Sequence, residues 1–228
     1  MKPTRTGRCA WERRNGMYEA EKAAVLNTAL EIKKCGLVSL SGGNVGLRAD
    51  AGRFLVTPSG MIYEEMTPED VCLIDEECHV MEGRRKPSSD SEALTYIFRH
   101  MPEVGAVIHT HQPWATAAGF AMDEIPECLV TIIDACAAPV RVAPFTPSSA
   151  VGMGVLAVEY AGGSRAVILK HHGVITFGAD LKEALYAAVY LEEGAKTLML
   201  ARMANAVVPP LDPELIAREK AGWETYGQ

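Results

Sequence analysis

One short stretch constrains this chain more than any other, Ala106-Val-Ile-His-Thr-His-Gln112. Gly105 opens it, three apolar residues follow, and His109 and His111 close it. The run reads as a buried strand. Side chains alternate along a strand, so residues two apart face the same way, about 6–7 Å apart at Cα. Two imidazoles at that separation can share one metal ion at about 2.0–2.1 Å each. A His-x-His pair alone is a weak signal, because many strands carry one by chance. The rest of the chain decides whether the pair is a ligand set.

The chain has 228 residues, 48% hydrophobic and 22% charged, enough for one large domain with a full core. Its net charge of -7 does not suggest a nucleic-acid surface. No apolar run approaches the roughly 20 residues of a membrane span. Residues 1–16 hold Lys2, Arg5, Arg8, Arg13 and Arg14 without an apolar stretch, and read as a flexible N-terminal extension. Six scattered cysteines without a Cys-x-x-Cys pair suggest reduced thiols in a cytoplasm. The expected domain is therefore residues 17–228.

Along it, Met17 to Cys35 reads as a helix with Gly36 as its C-terminal cap. A small-residue loop, Ser39 to Gly46, leads into a strand, and Arg53 to Thr57 forms a second after the turn at Asp50-Ala-Gly52. Thr67-Pro68-Glu69-Asp70 has a helix-start pattern. Val71 to Asp75 and Cys78 to Glu82 look like a hairpin. Ser88-Ser89-Asp90 opens a helix running to about His100, with Leu94, Ile97 and Phe98 at helical spacing. Pro113 starts a short helix. Val140 to Val142 is a strand, and Ser148 or Ser149 caps a helix reaching Tyr160. Arg165 to Lys170 is another buried strand, which Val174 to Phe177 continues past Gly173. Asp180 with Glu183 resembles a capping box and starts a helix to about Asn205. After a proline-rich connector, a last short helix leads to Tyr226. Hairpins are common and crossover helices few, so one mixed or mainly antiparallel sheet with helices packed on it is expected.

A third histidine, His172, ends an apolar strand before Gly173, and Asp90 sits at a helix start. Three imidazoles and a carboxylate make a complete shell for Zn²⁺ or a similar ion. The plainer reading is that His171 or His172 merely satisfies a strand end. A second set is small and polar. Asn44, Ser59, Gly60, Ser88 and Ser89 lie in loops broken by glycine or proline. Backbone N–H groups there, with hydroxyls and a helix N-terminus, make an anion nest suited to a phosphate monoester. The plainer reading leaves the serines as helix caps and Ser59-Gly60 as a turn.

Taken together, Gly43-Asn-Val45, Thr57-Pro-Ser-Gly60, Lys86-Pro-Ser-Ser-Asp90, His109-Thr-His111 and His171-His-Gly173 occur in this order. Over about residues 17 to 228 the chain resembles the class II aldolase/adducin family, which includes L-fuculose- and L-rhamnulose-phosphate aldolases and L-ribulose-5-phosphate 4-epimerase. The resemblance implies a single three-layer α/β/α domain with a central, mainly antiparallel sheet. It implies one divalent ion per subunit (Zn²⁺, or Mn²⁺ or Co²⁺) on His109, His111 and His172, with Asp90 beside it. It implies a phosphate pocket at Asn44, Ser59, Gly60, Ser88 and Ser89. It also implies a homotetramer in which Tyr226 reaches a neighbouring subunit's site, and a phosphorylated ketose as substrate.

The subtypes diverge at informative positions. Asp90 matches the epimerase type, where the fuculose-phosphate aldolase type has Glu. Asp134, 23 residues after His111, falls where the epimerase has an acid/base aspartate; on its own it reads equally as a turn or capping acid. The short segment from Asp134 to His172 is aldolase-like. Thr57 stands where the epimerase has lysine, Leu215 where it has a C-terminal histidine, and Val130 near an aldolase tyrosine. The chain fits neither subtype cleanly. Retro-aldol cleavage leads as the expected reaction, with 4-epimerisation by the same chemistry as the alternative. A related dehydratase or decarboxylase, or a non-catalytic adducin-like scaffold, stands further back.

Overall fold

The computed structural model describes residues 18–148 and 151–223. The expected N-terminal extension, Ser149 and Tyr226 lie outside them. Nine strands form one sheet in the order β4-β3-β2-β1-β5-β9-β8-β7-β6 among the described residues. They are β1 (Asn44–Asp50), β2 (Arg53–Val56), β3 (Cys72–Asp75), β4 (Val80–Glu82), β5 (Ala106–Thr110), β6 (Glu124–Ile125), β7 (Val140–Ala143), β8 (Ala166–Leu169) and β9 (Gly173–Gly178). β7 pairs with β8 in parallel, and the other neighbours are antiparallel. The mainly antiparallel sheet read from the sequence is thus the observed one.

Seven described helices flank it: α1 (Glu19–Lys34), α2 (Ser91–His100), α3 (Pro113–Ala121), α4 (Val130–Cys136), α5 (Gly152–Ala161), α6 (Leu181–Met203) and α7 (Pro213–Trp223). Strand alternation sorts the core into two faces. Val107, Val167, Leu169 and Ile175 pack under α2 and α5. Ala106 and Ile108 pack with α1 and the start of α6, while Ala166 and Ile168 pack with α3, α4 and the rest of α6. β5 is central, so its alternation decides where His109 goes. Two residues beyond Val107, His109 shares the α2/α5 face.

Two devices place α2, whose N-terminus carries Asp90. At its far end, Arg48 of β1 donates to the carbonyls of Phe98 (2.6 Å) and Val104 (3.1 Å), and lies over the Phe54 and Phe98 rings. A cation there complements the negative end of the helix dipole. At the near end, Ser88 N–H donates to the Thr57 carbonyl (3.0 Å) and Ser59 N–H to the Lys86 carbonyl (2.9 Å). These bonds zip the two loops across the Pro58–Pro87 bridge. The capping pair of α6 is also present: Asp180 accepts from Glu183 N–H at 2.8 Å, and Glu183 accepts from Ala179 N–H at 2.7 Å.

Three expectations need correction. Val174 to Phe177 does not continue the preceding strand. Lys170-His171-His172 is a tight turn, and β9 folds back antiparallel on β8 with Leu169 opposite Gly173. His171 makes the reversal in the left-handed region, φ 63°, unusual for a residue with a side chain. Thr67-Pro68 does start a capped turn, but it is a single 3-10 turn ending at Asp70. Ser148 does not cap α5, which begins at Gly152 with Val151 in the capping position.

A candidate metal centre beside a serine-lined cavity

The hairpin between β8 and β9 brings His172 to the two histidines of the β5 end. One side-chain nitrogen from each of His109, His111 and His172 lies within 4.8 Å of the others. Close backbone packing makes this possible. A Cβ at Gly173 would lie 2.2 Å from the Thr110 carbonyl oxygen, so only glycine lets the hairpin approach β5 here.

His109 is buried, His172 half-buried and His111 exposed. His109 Nδ1 lies 2.9 Å from the Val174 carbonyl oxygen. A carbonyl only accepts, so Nδ1 carries the hydrogen and Nε2 keeps a free lone pair. That Nε2 is buried and has no hydrogen-bond partner, and neither has His172 Nδ1. Buried polar atoms left so are uncommon, and three imidazole nitrogens facing one point fit a divalent ion. Burial first, and then the neighbouring His111 and His172, push the His109 pKa down to about 3. His111 and His172 are lowered too, again chiefly by burial, with the Asp90 carboxylate opposing. All three are therefore held neutral near pH 7, the state a metal ligand needs. Three protein ligands with one side open resemble a catalytic rather than a closed structural site.

A cavity of about 240 Å³ opens from this cluster. His111 and His172 line it, together with Asn44, Ser59, Gly60, Ser88, Ser89 and Asp90, so the structure brings together the residues singled out for metal and phosphate. Ser41, Gly42, Gly43 and Ser148 line it as well. The glycine-rich loop before β1 carries a signal for three of these; Ser148, between β7 and α5, reads in the sequence only as a helix cap.

Within the cavity, roles are finer than the sequence implied. The Asn44 amide donates to Asp90 Oδ2 at 2.7 Å, and Ser88 Oγ accepts from Asp90 N–H at 3.3 Å. Both residues thus serve the carboxylate's segment as well as lining the cavity. Asp90 is buried beside the cluster but is not among the groups whose ligand atoms converge. Asp134 does not line the cavity. It sits on α4, where burial first and then Glu219 raise its pKa.

Residues 23–199 match the profile described as Class II Aldolase and Adducin N-terminal domain. A 5-methylthioribulose-1-phosphate/5-deoxyribulose-1-phosphate aldolase of Rhodospirillum rubrum is 31% identical over 213 residues, 93% of this chain and 95% of its own. An L-ribulose-5-phosphate 4-epimerase of Salmonella paratyphi B is 28% identical over 207 residues, 86% of this chain and 91% of its own. Among solved structures, an L-fuculose 1-phosphate aldolase superposes with a TM-score of 0.82 at 24% identity, covering 89% of this chain and 95% of that one, a likeness of fold. The chain belongs to the class II aldolase and adducin family. It is an enzyme of that family's aldolase or epimerase type. No described helix is long and apolar enough to cross a membrane.

Proposed function

We propose that this enzyme cleaves a phosphorylated ketose by a reversible, metal-dependent retro-aldol reaction. The observation that carries the reading is the orphaned Nε2 of His109, clustered with His111 and His172 at one end of a cavity otherwise walled by serine, glycine, asparagine, Pro58 and Asp90. His109, His111 and His172 would hold one divalent ion per subunit, Zn²⁺ by its preference for imidazole, with Mn²⁺ or Co²⁺ as substitutes. When bound, the ion supplies Lewis-acid polarisation of the substrate carbonyl beside the breaking bond.

The chain's own residues do the rest. Ser59, Gly60, Ser88 and Ser89 hold the phosphate, so binding energy at the non-reacting end orients the reacting one. Asn44 fixes the Asp90 carboxylate beside the histidines. Cleavage requires a base to take the proton from the hydroxyl on the carbon that leaves as aldehyde, and an acid to protonate the carbon left behind. Asp90 and a Tyr226 contributed by a neighbouring subunit are assigned these transfers. That assignment includes a homotetramer with sites between subunits, working in the cytoplasm with reduced thiols.

A second reading, 4-epimerisation, rests on the sequence matches at Asp90 and Asp134, although Asp134 does not line this chain's own cavity. Here the aldehyde turns over and recombines on its other face, with Asp134 and Tyr226 as the proton-transfer pair. The short Asp134–His172 segment and the Rhodospirillum relative favour cleavage. Incubation with a panel of ketose 1- and 5-phosphates, followed by NMR and mass spectrometry, divides the two. Release of an aldehyde supports cleavage, and an inverted C4 centre without release supports epimerisation. No turnover of any phosphorylated ketose by metal-loaded enzyme defeats both.

A further inference from the structure

Tyr63 is only 1% exposed, and its ring packs in the core beside Val38, Val45 and Leu55. Its hydroxyl is directed at the cavity wall. It donates to the Gly43 carbonyl at 2.8 Å, with the Gly42 carbonyl at 3.4 Å. The Thr57 hydroxyl lies beside it, and Asp90 is close enough for its charge to be felt there.

The turn that this phenol holds has no slack. Gly43 sits at φ 76°, and a Cβ there would meet the His109 carbonyl oxygen at 2.5 Å. A Cβ at Gly42 would meet His111 Nδ1 at 3.0 Å. The Gly42–Gly43 turn is thus wedged between the phenol and the strand end bearing two of the histidines. Asn44, the next residue, holds Asp90. On the other side Thr57 accepts the Ser88 N–H and leads directly into Pro58-Ser59-Gly60. One buried hydroxyl therefore touches two of the loops that wall the cavity, and it faces no solvent that could replace it.

We infer that Tyr63 is a positioning residue for the anion pocket: its hydroxyl sets the spacing between the Gly42–Gly43 turn and the Thr57–Gly60 loop that a phosphate group must fit. The inference rests on the phosphate reading above. It separates from metal binding because the histidines are held by β5 and by the β8–β9 hairpin, neither of which Tyr63 supports by a hydrogen bond.

The test compares two phenol deletions in the metal-loaded full-length enzyme. Tyr63→Phe keeps the ring and removes the hydroxyl. Tyr18→Phe does the same to a comparably buried tyrosine, 6% exposed, whose hydroxyl donates to Asp50 and which lines no part of the cavity. Inorganic phosphate is titrated calorimetrically, and KM and kcat are measured on whichever ketose phosphate is turned over. Tyr63→Phe is expected to weaken phosphate binding and raise KM about tenfold, the worth of one strong hydrogen bond, with kcat within about threefold and metal content unchanged. Tyr18→Phe is expected to lower the melting temperature and leave phosphate affinity alone. Thr57→Val, which removes the neighbouring hydroxyl at constant shape, should repeat the phosphate-selective loss if Tyr63→Phe does not fold. Phosphate affinity within about twofold of the parent in Tyr63→Phe overturns the inference while leaving the pocket intact. So does an equal loss of phosphate affinity in both tyrosine variants, the mark of general loosening. A parent enzyme that binds no phosphate removes the pocket reading and the inference together.

Discussion

The Asn44 side-chain amide donates a 2.7 Å hydrogen bond to the Asp90 carboxylate across 46 residues of chain. It ties the first residue of β1 to the residue before α2, both buried. Asn44→Ala leaves that carboxylate short of a donor, at a cost of about 1.5–3 kcal/mol. Urea unfolding should register the loss, and kcat/KM should fall with it. An Asn44→Ala enzyme as stable and as active as the parent would detach this bond from the site.

His111 is the exposed member of the histidine cluster, so its removal tests ligation with little effect on packing. His111→Ala should lose nearly all bound metal and activity while unfolding within about 0.5 kcal/mol of the metal-free parent. Elemental analysis after gel filtration decides. Full metal content with normal turnover would end the assignment.

The two serines differ in the structure, and their variants should differ too. Ser89 is exposed, whereas buried Ser88 also accepts the Asp90 N–H. Ser89→Ala should raise KM for a phosphorylated substrate and weaken inhibition by inorganic phosphate, with an unchanged melting temperature. Ser88→Ala should do both and also lower stability by about 1 kcal/mol, one neutral hydrogen bond. Equal KM in the parent and in a variant carrying both Ser88→Ala and Ser89→Ala would remove the serines from phosphate binding.

Asp134 and Tyr226 separate the two reactions. For an aldolase, Asp134→Asn should cost little, while Tyr226→Phe slows cleavage about 10²–10⁴-fold, the range for a lost general acid or base. If each change alone abolishes inversion at C4, the enzyme is an epimerase. Full activity in a chain ending at Trp223 would rule out Tyr226 in either role.

Alkaline stability offers a check on the core. Burial pushes the Cys136 thiol from 9.0 up to about 12, with Arg165 opposing. Its folded pKa is the higher one. Above pH 9 the unfolded chain therefore loses this proton while the folded chain keeps it, and stability falls as pH rises. The slope is about 1.4 kcal/mol per pH unit while one thiol differs between the states. Cys72, pushed up to about 11, adds to it in part of the range. Denaturant melts between pH 8 and 10.5 should show a shallower decline in Cys136→Ala than in the parent. Parallel slopes would show that Cys136 ionises equally in both states.

Much of the frame could be read without coordinates, because it is written in local signals. The apolar run before His109, the helical spacing of Leu94, Ile97 and Phe98, and the Asp180–Glu183 cap each depend on residues within about one or two turns of each other. The order of the five motifs carried the family. What escaped was set by contacts between distant segments. The turn at His171 takes a left-handed φ that no glycine announces there, so β8 and β9 read as one strand. β6 and α4 are short, and α4 starts without a side-chain cap, so neither carries a strong signal. Tyr63 looks like any core aromatic until its hydroxyl is seen against Gly43, 20 residues away. By itself the sequence determined which side chains can bind a metal and an anion, since that is a property of imidazole, hydroxyl and amide groups. Only the tertiary structure decided that His172 meets His109 and His111, that Asn44 serves Asp90, and that Asp134 faces α7 instead of the cavity. Those are outcomes of hairpin reversal and sheet packing, which bring together residues that no spacing rule connects.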